Sequence, residues 1–254
     1  MNNYKLTVAY DGSRYQGWEH QPDTDLTVQG KLEAVFSALE GRPVEVTGAG
    51  RTDSGVHALG MVANVRLETD MPAAAIRDYA NRYLPDDISV TDLHPAADRF
   101  HARYNAVGKT YRYTIWTARS KPLFERRYVY VPEGNLDVSL MKKAAESYVG
   151  VHDFAAFCGN PRMKKSTVRE LYSVDFEEDA EHLRIFYHGE GFLQYMVRIL
   201  TGTLIEVGLH RRDPATIPQL LAGGKRADAG FTAPAKGLCL IKVDYNRDGM
   251  DSTG

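Results

Sequence analysis

The sequence predicts an α+β fold of two ferredoxin-like halves, each ordered β-α-β-β-α-β, with antiparallel sheets that form a central cleft. Three observations carry that expectation. Stretches with a period of two alternate with amphipathic helical stretches. The same order of stretches runs twice along the chain. The length of 254 residues, 43% apolar and 25% charged, suits one large soluble domain or two of ordinary size.

In the first half, Tyr4 to Tyr10 reads as a strand and leads into a polar, glycine-rich loop from Asp11 to Asp25. Thr27 is placed to cap a helix whose apolar stripe is Val28, Leu32, Val35, Phe36 and Leu39. Strands follow at Val44 to Thr47 and Met61 to Leu67, then a helix from Pro72 to Tyr83 with proline at its start, then a strand at Ile88 to Leu93. The second half offers strands at Lys109 to Trp116 and Tyr128 to Val131 and a helix at Val138 to Val149. Strands at Val168 to Glu177 and Leu183 to Tyr187, a helix at Phe192 to Val207 and a strand at Leu238 to Val243 complete it. The expected division is residues 1–103 and 104–246, with 247–254 as a flexible tail.

Composition excludes several classes of function. The net charge of −2 demands no nucleic-acid partner, so any such partner has to be held by local basic patches. The amino terminus has no signal pattern and no apolar run approaches the roughly 18 residues that span a bilayer, so a cytoplasmic protein without membrane contact is expected. Cys158 and Cys239 form no C-x-x-C pair, and the eight histidines form no H-x-x-x-H, so neither a disulfide framework nor a metal site is expected.

The most unusual stretch is GAGRTDSGVHALG, Gly48 to Gly60, which sets one carboxylate, Asp53, in a loop rich in glycine. A dinucleotide loop would need a third glycine where Asp53 stands and a helix afterwards, yet Val56 to Val65 reads as strand. An aspartic protease needs two carboxylates sharing a proton, and no second Asp-Ser-Gly or Asp-Thr-Gly occurs. A triad of Asp53, Ser54 and His57 fails because neighbours in an extended loop seldom converge and no G-x-S-x-G turn is present. The remaining local reading is an aspartate that caps a turn.

Basic residues cluster. Arg99, Arg103, Lys109, Arg112, Arg119, Lys121, Arg126 and Arg127 stand against one acid, Glu125, and are interleaved with Phe100, Tyr104, Tyr111, Tyr113 and Trp116. Cations that track phosphates and flat rings that stack on bases are what a single-stranded or looped RNA requires. Arg162, Lys164, Lys165 and Arg169 form a second cluster in a polar loop. A solvated strand edge is the alternative reading of such charges.

Together these stretches resemble the TruA family of tRNA pseudouridine synthases over almost the whole chain. Tyr10-Asp11-Gly12, Tyr15, Gly17-Trp18 and Gln21 match the family's opening motif, and Thr27-Val28-Gln29 the start of its first helix. Gly48 to Ala58 is similar to the signature G-x-G-R-T-D-x-G-V-H-A at every fixed position. Lys109-Thr110-Tyr111-Arg112-Tyr113 matches K-x-Y-x-Y, and Phe192 to Arg198 matches F-L-x-x-M-V-R. His152 to Phe157 and Ala233 to Leu238 also fit. Glu19-His20 departs from a common Gln after Gly-Trp, and Cys239 from a frequent aromatic after Gly-Leu.

The resemblance implies a cofactor-free isomerase that converts uridine to pseudouridine at positions 38 to 40, in the anticodon arm of tRNA. It also implies a homodimer in which one tRNA contacts both subunits, and a central cleft that binds RNA. Asp53 would be the catalytic carboxylate, Arg198 the cation that keeps it ionised, and Tyr111 the ring that packs on the uracil. Arg51 would contact RNA phosphate and help extrude the base, with Arg112, Arg162, Lys164, Lys165 and Arg169 on the RNA-binding surface. The alternatives are a non-catalytic RNA-binding paralogue and a pseudouridine synthase acting on a different RNA site.

Overall fold

The structure is a computed structural model that describes residues 1–160 and 162–246. The expected tail, 247–254, lies outside the described residues. The architecture is mixed α+β, and the chain divides into two compact units: residues 1–107 together with the stretch from Leu240, and residues 108–239.

In the first unit, β1 (Asn2–Tyr10) pairs antiparallel with both β3 (His57–Leu67) and β4 (Ile88–Pro95), and the short β2 (Val46–Gly48) pairs antiparallel with β3. β9 (Leu238–Tyr245) lies next to β3. Two helices pack on this sheet. The first, α1 (Val28–Glu40), opens as its sequence requires: Thr27 is extended and its hydroxyl accepts from the Gly30 N–H, satisfying one of the four free amides of the first turn. Leu32, Val35 and Phe36 are buried against the strands, as the stripe predicts. The second, α2 (Ala73–Tyr83), starts one residue after Pro72 and buries Ile76 and Ala80. The order β-α-β-β-α-β of this unit matches the expectation, and β3 begins four residues earlier than expected, at His57.

Alternation marks β1, whereas β3 is buried almost without a break, so it is flanked on both edges and covered on its faces. Its buried amide, Asn64, is satisfied: it donates to Asn3 Oδ1 (3.3 Å) and accepts from the Ala102 N–H (2.9 Å). Asn3 in turn donates to the carbonyls of Ala97 and Phe100, both at 2.9 Å. Two buried amides thus tie the segment 97–102 to the sheet, at the sites where an unpaired amide would be most costly.

In the second unit the strand order is β5 (Ala106–Trp116), β8 (His182–Gly189), β7 (Val168–Glu178) and β6 (Gly150–Asp153), all adjacent pairs antiparallel. The helix α3 (Val138–Ala145) is capped by Asp137, whose carboxylate accepts from the Leu140 N–H at 2.9 Å. α4 (Met196–Gly208) is buried nearly all round, and a short α5 (Thr216–Leu221) follows.

This unit departs from the predicted order. Tyr128 to Val131 forms no strand: Tyr130 makes a single parallel bridge to Ile115, and Pro132 has no N–H with which to extend it. β6 is four residues long, too short for alternation to reveal. The helix expected from Phe192 starts at Met196, because Tyr195 has φ of 61°, a left-handed conformation that no helix interior tolerates.

A buried histidine couples this unit to pH. His182 begins β8 with its ring edge-on to Trp116; Nε2 meets Glu125 Oε2 at 2.5 Å and Nδ1 meets Asp179 Oδ1 at 3.0 Å. Burial disfavours its charged form, but the two carboxylates outweigh burial and its pKa is raised. The stabilisation is fully present below the ordinary histidine value and is lost as pH rises through the raised one. In urea titrations, His182→Gln should therefore be less stable than the native chain at about pH 5.5, with the gap narrowing by about pH 9. A gap that is the same at both values would contradict this assignment.

Candidate active site

Asp53 lies in the loop between β2 and β3, half-buried, and the residues around it are pinned from one side by the loop that follows β1. The Tyr10 hydroxyl and Thr52 Oγ1 share a buried hydrogen bond of 2.8 Å, and the Trp18 N–H donates to the Thr52 carbonyl at 3.1 Å. The carbonyl of Tyr15 accepts from the Gly55 N–H and from Ser54 Oγ, both at 3.2 Å. The Gly12 N–H donates to His57 Nδ1 at 3.0 Å, and the Val56 N–H closes the turn on the Asp53 carbonyl at 3.1 Å. Tyr15 and Trp18 are themselves buried. The motif Tyr10-Asp11-Gly12, Tyr15, Gly17-Trp18 therefore serves as the frame for the loop that carries the carboxylate.

Two glycines permit that approach. Gly17 has φ of +97°, and a side-chain carbon there would sit 2.6 Å from the Thr52 carbonyl oxygen. At Gly48 such a carbon would run into the Trp18 indole. The frame also disposes of the hydrolytic triad, since Ser54 Oγ–H is engaged by a backbone carbonyl and the His57 ring accepts from Gly12.

Arg51 is exposed and forms an ion pair with Glu19, the position where the chain departs from the family's usual Gln. The pairing places a cation beside the loop, two residues before Asp53.

The second unit holds Tyr111 and Arg198. Tyr111 stands on β5 opposite Tyr187 of β8, is 8% exposed and lies edge-on to Phe192 at 5.1 Å. Arg198 is in the first turn of α4. Its Nε donates to the Ala233 carbonyl at 2.8 Å, and its guanidinium lies over the Tyr195 ring at 5.0 Å. One bond and one stacked ring fix the fork's direction, which an unsupported arginine on a helix surface would not have. The Ala233 N–H also returns to the Arg198 carbonyl, at 3.0 Å.

The residue after Ala233 performs a similar task for the other tyrosine of the strand. Tyr113, fully buried, donates to the Pro234 carbonyl at 2.9 Å. Burial first, then Tyr130, pushes its pKa well up, while the Arg198 charge pulls the other way. The segment Ala233 to Gly237 is thus a carbonyl clamp on Arg198 and Tyr113. Sequence reasoning found the segment only through the family resemblance, because its partners lie 35 and 121 residues away.

The basic candidates divide. Arg112, half-buried on β5, has a sheltered Nε with no hydrogen-bond partner among the described residues. Leaving a buried N–H unmatched costs about 1–3 kcal/mol, so this arginine suits an acceptor from outside the chain. Arg162, Lys164 and Lys165 are exposed on the loop before β7. Arg169 bonds the carbonyls of Ser166 and Val168 at 3.0 and 2.5 Å, so it helps shape that loop. Through Gly189, Lys109 and Leu171 share a level of the sheet, so Lys109 and Arg169 fall at the same end of it.

Comparison with known proteins shows the family. The sequence pattern described as tRNA pseudouridine synthase matches residues 6–105 and 144–246. tRNA pseudouridine synthase A 2 of Bacillus cereus (strain ZK / E33L) is 45% identical over 245 residues, 96% of this chain and 100% of its own length. tRNA pseudouridine synthase A of Geotalea uraniireducens (strain Rf4) is 44% identical with the same two coverages. A solved archaeal box H/ACA sRNP Nop10-Cbf5 complex covers 80% of this chain and 43% of its own at 12% identity, with a TM-score of 0.36, too slight to argue from. With the signature loop in place and identity at this level across 96% of its length, the chain belongs to the TruA family of tRNA pseudouridine synthases, which are isomerases.

Proposed function

We propose that this isomerase acts on uridines 38 to 40 of tRNA, in the anticodon arm, with Asp53 as the catalytic carboxylate. The observation that carries the proposal is the frame around Asp53: its loop is held by Tyr10, Tyr15 and Trp18, and the carboxylate is left half-buried. A group that merely capped a turn would not need so many long-range bonds.

The reaction breaks the bond between uracil N1 and the ribose C1′ and forms one from C5 to C1′. The C5 proton leaves and N1 gains one, so atoms and electrons balance without a donor or an oxidant. Three routes use the carboxylate: attack on C1′, attack on C6, or assistance of elimination across C1′ and C2′. Each requires it ionised in a pocket from which water is excluded, where desolvation favours the protonated acid. Arg198 supplies the countering charge in this proposal. Tyr111 packs on the uracil of the flipped nucleotide and assists loss of the C5 proton, and Arg51 holds phosphate while the base is extruded. Arg112 and the cluster Arg162, Lys164, Lys165 and Arg169 bind the RNA backbone, and the working unit is a homodimer whose two subunits share one tRNA.

Incubation with unmodified tRNA carrying tritium at uridine C5 tests the proposal. Tritium release, with pseudouridine formed at positions 38 to 40, is expected; release confined to sites outside the anticodon arm would overturn the target assignment.

Binding should be electrostatic in spite of the net charge of −2. Log affinity for tRNA should fall linearly with log salt as cations displace counterions from phosphates. Lys164→Ala with Lys165→Ala should flatten the slope by about one per lost contact. An unchanged slope would show that these lysines are only a solvated surface.

A further inference from the structure

Beside the signature loop, within the first unit, lies a cavity of about 240 Å³, most of whose lining has no part in the proposed reaction. Gly50 and Arg51 form part of its wall, so it adjoins the chain two residues before Asp53. Its rim carries an aromatic platform. Tyr104 is 79% exposed, and its ring lies against that of His101 with centroids 4.2 Å apart and planes 33° apart. His101 is itself fixed: its ring Nδ1 accepts from the backbone amides of Arg103 and Tyr104, at 3.2 and 3.4 Å, and its backbone N–H donates to Asn105 Oδ1 at 2.7 Å. The turn 101–105 follows the segment that Asn3 and Asn64 tie to the sheet. An aromatic ring held so firmly in solvent is prearranged to stack on something flat, because the ordering cost is met before binding.

The polar groups in the cavity narrow the choice. Glu19 and Glu45 both line it, and Glu45 has no partner among the described residues. Carboxylates accept hydrogen bonds and repel carbonyl oxygens. Uracil offers two carbonyls and one N–H, so it fits poorly, while adenine, cytosine and guanine each present an exocyclic amine. Arg103, also on the wall and without an acidic partner among the described residues, is available to a phosphate.

We infer that this cavity binds a second, unstacked nucleotide of the RNA substrate, one whose base carries an exocyclic amine, with Tyr104 as its stacking platform. The inference rests on the chain's action on tRNA, and it makes the cavity a positioning site distinct from that of the reacting uridine. Occupying it would anchor the RNA against the wall that leads into the Asp53 loop.

The experiment is a coupling cycle. Affinities of the native protein and of Tyr104→Ala are measured for tRNAs carrying one abasic residue at each nucleotide in turn. At one position the abasic residue should weaken native binding by about five- to a hundredfold, the range of a base stacked on an aromatic side chain, and leave Tyr104→Ala nearly unaffected. At that position, replacing the amine-bearing base by uracil should weaken the native protein more than Glu45→Gln. With intact tRNA, Tyr104→Ala should raise KM and spare kcat. Losses that multiply independently at every position would overturn the inference. Tritium release by the native protein, followed in parallel, tests the isomerase reading separately, so the two failures are distinguishable.

Discussion

Asp53→Asn should lose isomerisation by about a thousandfold or more, the scale on which removal of a group essential to the chemistry acts. The amide keeps the shape of the carboxylate but is neither a base nor a nucleophile. The loop should survive the change, because the bonds described for its frame use backbone atoms and the side chains of Tyr10, Thr52, Ser54 and His57, none of which is altered. Thermal stability and tRNA affinity should therefore stay near native values. Tritium release in single turnover, with tRNA saturating, measures the effect. Activity within tenfold of native would remove Asp53 from the chemistry.

The second large effect is expected at Arg198. If its charge keeps Asp53 ionised, the native rate falls with acidity only at low pH. Arg198→Met removes the charge and leaves the carboxylate in a poorly hydrated pocket, so the acid limb of the pH–rate profile should move to higher pH by about one unit or more. At neutral pH the rate should drop by about a hundredfold, the scale of a misplaced reacting group. Part of it should return as pH is raised, since deprotonation restores the carboxylate while its orientation stays impaired. Arg198→Lys should be intermediate: it keeps the charge but cannot reproduce the guanidinium's combination of an Nε bond to the Ala233 carbonyl and a flat face on Tyr195. Saturating tRNA separates altered ionisation from weaker binding. An acid limb that does not move in Arg198→Met would show that this arginine does not set the charge state of Asp53.

What the sequence disclosed, and what it hid, follows from the range of the interactions. Thr27 and the stripe of α1 are local, and both stand where the pattern put them. The glycines of the Asp53 loop were equally visible, but their reasons were not. Gly48 answers to Trp18 and Gly17 to Thr52, contacts across roughly thirty residues that no spacing rule reports. The start of α4 was misplaced because Phe192 to Tyr195 is apolar and helical in period, while the left-handed conformation of Tyr195 is set by its surroundings, including the ring's close approach to Gly159. The strand expected at Tyr128 failed because alternation signals a face to bury and not a partner to pair with. The aromatic and basic residues near 104 were legible as an RNA-binding composition, but the cavity they border with Glu19 and Glu45 arises only on folding.

Mapping pseudouridine in tRNA from cells that lack this protein tests the central claim most directly, when the same cells are complemented with the native chain or with Asp53→Asn. Pseudouridines at positions 38 to 40 should vanish, return with the native chain and stay absent with Asp53→Asn. Their return with Asp53→Asn, or a loss confined to positions outside the anticodon arm, would contradict the account.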